Sequence, residues 1–177
     1  MEEEIKSNSL QCIADVFTKH GMKFKTGCGP DREALLAGFK IENGPNLLVY
    51  FVVPDNSETV SVRVYDILTN VSDDRRSRIL EACNLLNRHF RFLKYCLASD
   101  NSVELEYDFP NAYSENIGDI CLMFMQVIMY FADTHYEVLM KALHTEAAII
   151  YPDGDGAVEG PRYMRISDMS DSTGMLS

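Results

Sequence analysis

Apolar residues at the start of the chain lean to one helical face. Ile5, Leu10, Ile13, Val16 and Phe17 share it and His20-Gly21 supplies a stop, so the spacing predicts an amphipathic helix over 4–20. After Gly27-Cys28-Gly29-Pro30, expected to be a connecting turn, the period shortens. Three β-rich runs follow: ALLAGFKIE from Ala34, LLVYFVVP from Leu47 and TVSVRVYDIL from Thr59. Gly44-Pro45 and Asp55-Asn56-Ser57-Glu58 separate them, which predicts an antiparallel meander. In the third run Val60, Val62 and Val64 alternate with Ser61, Arg63 and Tyr65, the period of a strand with one buried face. The second run is apolar on both faces from Leu47 to Val53, so it is expected to be central or covered by a partner.

Helical spacing returns at Ile79, Cys83, Leu86 and Phe90, behind Ser72-Asp73-Asp74, which offers an N-cap and first-turn acids. FLKYCLA and SVELEYDF then flank Ser99-Asp100-Asn101, a turn tripeptide, and predict a hairpin. Ser114-Glu115 opens a last helix to about Leu143. The order α-β-β-β-α-β-β-α predicts a two-layer α+β domain over residues 1–148, with helices on a five-stranded antiparallel sheet. Residues 149–177, dense in Gly, Pro, Ser and Asp, are expected to form a flexible acidic tail.

The most apolar stretch is ICLMFMQVIMYFA, residues 120–132, bounded by Asp119 and Asp133. Its thirteen residues fall short of the roughly 20 that span a bilayer, so no membrane crossing is expected. Asp119, Gln126, Asp133 and Glu137 share one narrow wedge of the helical wheel. Ile117, Cys121, Phe124, Ile128, Phe131 and His135 form the main apolar stripe, and Leu122, Met125, Met129 and Tyr136 a second flank. A helix apolar nearly all round needs cover on more than one side, from its own fold or from another protein, and its unbranched methionines suit either. The residues expected to contact a partner are therefore Leu47, Val49 and Phe51 on the strand and Leu122, Met125, Met129 and Tyr136 on the helix.

The 177 residues include 27 acidic and 16 basic ones, a net charge of -11, which disfavours nucleic acid as a partner. Arg75, Arg76, Arg78, Arg88, Arg91 and Lys94 cluster on and after the second helix, where a solvated face is the simpler expectation. Five cysteines without a CxxC pair are expected to be reduced, Cys83 and Cys121 as small core hydrophobes. MEEEIKSNSL lacks a basic and apolar leader pattern, so a cytoplasmic location is expected. No phosphate loop, nucleophile elbow or metal-ligand spacing stands out among His20, His89, His135 and His144. Asp153-Gly154-Asp155-Gly156 lacks the further ligands of a calcium loop. Neither cofactor nor metal nor catalysis is expected. His135 is the one candidate for other chemistry: on the apolar stripe it is either a hydrogen-bonded core histidine or a group lining the pocket of a small-molecule sensor or enzyme.

The segment ILEACNLLNRHFRFLKYCLASDNSVELEYDFP, residues 79–110, resembles the YbjN family, grouped with bacterial sensory transduction regulators. A helix with an N-x-x-N pattern, here Asn84 and Asn87, leads there into a hairpin with an acidic second strand. The resemblance implies the type III secretion chaperone-like fold over about residues 3–147. It also implies a small homodimeric protein without a cofactor that acts by holding another polypeptide, and it carries no catalytic residue across.

Overall fold

The computed structural model describes residues 8–29, 32–42, 44–54, 59–90, 92–110 and 115–151. The tail from 152 onward, with its Asp153–Glu159 segment, lies outside the described residues, as do Ile5, Arg91 and Ser114. The chain runs α1 (Asn8–Lys19), β1 (Phe24–Gly29), β2 (Arg32–Lys40), β3 (Asn46–Pro54), β4 (Thr59–Leu68), α2 (Arg76–His89), β5 (Lys94–Leu97), β6 (Val103–Pro110) and α3 (Ile117–His144). One antiparallel sheet takes the order β1-β2-β3-β4-β6-β5.

The α+β class with three helices is as expected, but the sheet has six strands rather than five. The order becomes α-β-β-β-β-α-β-β-α. The added strand is β1, whose residues Gly27 to Gly29 were expected to turn and instead pair with Ala34, Glu33 and Arg32. A glycine-rich edge strand carries too little β-branched sequence to announce itself, and its partner β2 holds it in place.

Strand alternation builds the core. Leu35 and Ala37 on β2, Leu47, Val49, Phe51 and Val53 on β3, Val60, Val62 and Val64 on β4, and Val103 and Leu105 on β6 are all buried on one face. The helices cover that face: α3 lies between α1 and α2 and touches both. Close approach of α1 and α3 depends on Gly118, where an added Cβ would come within 2.6 Å of the Cys12 carbonyl oxygen and 2.5 Å of Val16. α1 stops as its sequence suggests: Gly21 takes φ 69°, and Met22 N–H bonds the Phe17 carbonyl at 2.9 Å.

The acidic start expected for α2 is a turn instead. Arg75 N–H bonds Ser72 O at 2.9 Å, and the helix begins at Arg76 with no side-chain cap. The hairpin is as expected, with Asp100 Oδ1 accepting from Ser102 N–H and Oγ–H at 3.0 and 2.7 Å.

α3 is 28 residues long, so the thirteen-residue argument against a membrane span does not hold for it. It is one helix among the described residues long and apolar enough, by length and composition, to cross a membrane. Its buried residues recur from Ile117 to Ala142, so packing within the fold already uses its main stripe.

Candidate protein-interaction surface

Residues of the other strand parity form the second face of the sheet, which no helix among the described residues covers. The register aligns Lys25, Leu36, Tyr50, Arg63, Glu106 and Lys94 in one row across it. Ala34, Val52, Ser61 and Asp108 form the next row. Leu48 is 44% exposed and Tyr65 37%, and the Tyr50 and Tyr65 rings meet edge-on at 5.1 Å. The β2–β3 half of this face is therefore apolar, and the β4–β6 half is charged. Arg63 anchors the charged half: its guanidinium donates to Tyr107 O at 3.0 Å and pairs with Asp108 at 2.8 Å and Glu106 at 3.7 Å. Cys96 Sγ–H lies 3.0 Å from Glu106 Oε1, and burial together with that carboxylate pushes the thiol up to about 12. Such a thiol is inert at neutral pH.

The strand expected to meet a partner is thus present with its parity reversed. Leu47, Val49 and Phe51 are buried under the helices, and Leu48, Tyr50 and Val52 face outward. A run apolar at every position cannot reveal its own parity, because a one-residue slip exchanges the two faces.

On α3, Met125 is 1% exposed and belongs to the core. Leu122 is half-buried, and Tyr136 packs against the β2–β3 connection, its ring 2.9 Å from the Cβ position of Gly44. Beside it Asp133 Oδ1 accepts from Glu42 N–H at 3.0 Å. Met129 is 37% exposed, and Met123 and Tyr130, absent from the expected set, are exposed as well. The helical surface left free is the polar wedge of Asp119, Asp133 and Glu137, with Met129 on one side of it and Met123 and Tyr130 on the other.

His135 is 1% exposed and both ring nitrogens have partners: Tyr95 Oη lies 3.2 Å from Nδ1 and Tyr151 Oη 3.3 Å from Nε2. Tyr95 Oη in turn reaches Phe131 O at 3.5 Å. One assignment satisfies the chain of bonds. Tyr95 O–H donates to Phe131 O and accepts from Nδ1–H, and Tyr151 O–H donates to Nε2 of a neutral ring. Burial, and then the nearby His89, depress the imidazole to about 4. The Tyr151 ring also stacks on His89 at 3.8 Å. Tyr151 was expected in the tail and is instead buried with the domain. Nothing in the spacing of the three residues signals their meeting.

The basic cluster is largely engaged within the chain. Arg75 and Arg78 pair with Glu146, Arg76 binds Asn101, and Lys94 Nζ donates to Asn87 O and Phe90 O at 3.0 and 2.6 Å, closing the end of α2. Asn87 makes the structural bonds to the following strand: Tyr95 N–H donates to its Oδ1 at 2.8 Å and its Nδ2 donates to Tyr95 O at 2.9 Å. Asn84 is exposed. Cys12, Cys83, Cys96 and Cys121 are free thiols, the second and fourth buried. Among the described residues no group of three His, Cys, Asp or Glu could hold a metal ion.

No curated protein matches the chain. The profile of one family, YbjN, described as "Putative bacterial sensory transduction regulator", matches residues 9–134. That stretch takes in α1, all six strands, α2 and most of α3, and ends one residue before His135. With the greater part of its length inside the match, the chain belongs to the YbjN family.

Proposed function

We propose that this protein is a non-enzymatic interaction module, regulatory or chaperone-like, that works in the cytoplasm as a homodimer and binds another polypeptide. The observation that carries the reading is the uncovered sheet face, with exposed Leu48 and Tyr65 beside half-buried Leu36, Tyr50 and Val52. A contiguous apolar surface edged by charge is a form that protein interaction sites take. Membership of a family described as regulators of sensory transduction supports the regulatory part. The exposed face of α3, where Met123 and Tyr130 on one side and Met129 on the other flank the polar wedge, is the surface we assign to dimer contacts.

The test is capture of the tagged protein from its source lysate, run beside a Leu48→Asp/Tyr65→Asp variant and a Met129→Asp/Tyr130→Asp variant, with light scattering on each eluate. A stoichiometric polypeptide lost from the sheet variant, and a dimer lost from the helix variant, are the expected results. Recovery of the same partner by the sheet variant would remove the open face from the interaction.

The alternative, a small-molecule sensor or enzyme using His135, draws on the buried neutral imidazole between two tyrosines. Both nitrogens are occupied, so a ligand has to displace Tyr151 to reach the ring. An NMR signal of His135 that moves on adding a small metabolite pool would favour this reading.

A further inference from the structure

The β4 strand breaks its alternation where the apolar and charged halves of the open face meet. Val64 pairs with Leu105, and the next pair is Leu68 with Val103, so Tyr65, Asp66 and Ile67 stand opposite Glu104 alone. An unbroken strand would carry Asp66 into the core after Val60, Val62 and Val64. The bulge prevents this: Tyr65 and Asp66 are both exposed while Ile67 and Leu68 turn inward, and Asp66 takes φ 57° to allow it. Bulges of this kind re-aim side chains, and a non-glycine residue held at positive φ marks a place where the fold maintains an unusual geometry.

The consequence is a concentration of carboxylates beside Tyr65. Burial, then Asp100, Glu106 and Asp66, raises the Glu104 carboxyl above its ordinary range, a sign that these acids act on one another. Of the cations nearby, Arg63 is engaged with Glu106 and Asp108, and Lys94, opposite Glu106, donates to Asn87 O and Phe90 O. Lys25 and Lys40 share the parity of this face at its β1–β2 margin, so charge runs from basic there to acidic at β6. Nucleic acid is repelled by the net charge of -11, and a second copy is already assigned to the α3 surface. A cationic, partly apolar polypeptide is attracted to the acidic end and buries Leu48 and Tyr65 at once.

We infer that the bulged end of the open face receives a basic, amphipathic segment of another polypeptide, its apolar side on Leu48, Tyr50 and Tyr65 and its cations against Asp66 and Glu104. This rests on the open face being the interaction surface and adds the chemistry of the partner.

The test is calorimetric titration with a short synthetic peptide of leucine, alanine and arginine, patterned so that leucines share one helical face and arginines flank it. The same peptide with glutamate in place of arginine is the comparison. Wild type is expected to bind the arginine peptide and not the glutamate one. Asp66→Asn/Glu104→Gln, which keeps a residue tolerant of positive φ at the bulge, is expected to weaken binding by roughly tenfold or more. Glu81→Gln/Asp119→Asn, removing two exposed acids from the helices, is expected to leave it unchanged. Circular dichroism confirms that each variant is folded. No binding by wild type, equal binding of both peptides, an unchanged affinity in Asp66→Asn/Glu104→Gln, or equal weakening by the helix pair overturns the inference. If Leu48→Asp/Tyr65→Asp abolishes binding while Asp66→Asn/Glu104→Gln does not, the open face stands as the surface and only the basic partner falls. If neither changes it, both fall.

Discussion

His135 shows how one buried residue couples packing to pH. Its ring sits between two tyrosine hydroxyls, and protonating Nε2 obliges Tyr151 to stop donating to it. The imidazole falls from its ordinary 6.5 to about 4 in the folded protein. Between those values the unfolded chain holds the proton and the native state does not, so stability rises with pH through that interval. The contribution is complete above 6.5 and is lost as pH falls toward 4, on the order of 3 kcal/mol in all. Urea unfolding of wild type and His135→Asn at several pH values checks this: the wild-type curve should fall more steeply between pH 6.5 and 4, and parallel curves would remove His135 from the effect. Asn87 works at the same scale through two bonds to the Tyr95 backbone, acting as a surrogate neighbour for edge strand β5. Asn87→Ala is expected to cost about 1–3 kcal/mol by leaving the Tyr95 amide and carbonyl without these partners, and hydrogen exchange at the Tyr95 amide should speed up accordingly. An unaltered exchange rate would mean that water replaces the asparagine without loss.

Among the elements, β3 and α3 make matched experiments because each carries neighbouring apolar residues of contrasting burial, on opposite faces of β3 and one turn apart on α3. Val49 is 0% exposed and Leu48 44%; Met125 is 1% and Met129 37%. Aspartate at Val49 or Met125 places an unpaired charge in the core and is expected to unfold the domain, whereas aspartate at Leu48 or Met129 should leave the far-ultraviolet circular dichroism and the cooperative melt intact. A cooperative native melt from the Met125→Asp protein would show that its side chain reaches solvent. These pairs also mark how far the elements can be read without coordinates. Val60, Val62 and Val64 alternate with polar residues and declare their inner face, and the 79, 83, 86 spacing declares α2. From Leu47 to Val53 every residue is apolar, so parity is settled only by pairing with β2 and β4. β1 is invisible because Gly27 and Gly29 resemble a turn until β2 lies beside them. Nor does composition mark the bulge at Tyr65–Ile67, which depends on the register that β6 imposes. Local periodicity carries the inventory of elements, and long-range pairing decides which side chains form the candidate surface.

At the scale of the whole molecule, the segment after α3 closes the structure against α2. Glu146 pairs with Arg75 and Arg78 near the start of that helix, Arg78 also donates to Ala147 O, and Tyr151 stacks on His89 at its end. The five steps from Glu146 to Tyr151 can reach about 17 Å. The eleven steps from Arg78 to His89 rise about 16 Å along a helix, so the segment is long enough to join its contacts at the two ends of α2. This strap lies beyond the stretch that matches the family, and it draws α2, β5 and α3 together at a single tyrosine. The arginine ion pairs are exposed at Glu146 and contribute little, so Tyr151 should carry most of the closure. Tyr151→Ala is expected to lose about 2–4 kcal/mol through its emptied site. Tyr151→Phe keeps the stacking on His89, loses only the hydroxyl to Nε2, and should lose about 1 kcal/mol. The Phe variant should also raise the His135 pKa less than the Ala variant, because the ring still excludes water. Guanidinium unfolding with parallel NMR titration of His135 measures both quantities on the same samples. If Tyr151→Ala melts as wild type and His135 keeps its depressed pKa, the strap contributes nothing to closure, and β5 and α3 hold His135 dry by themselves.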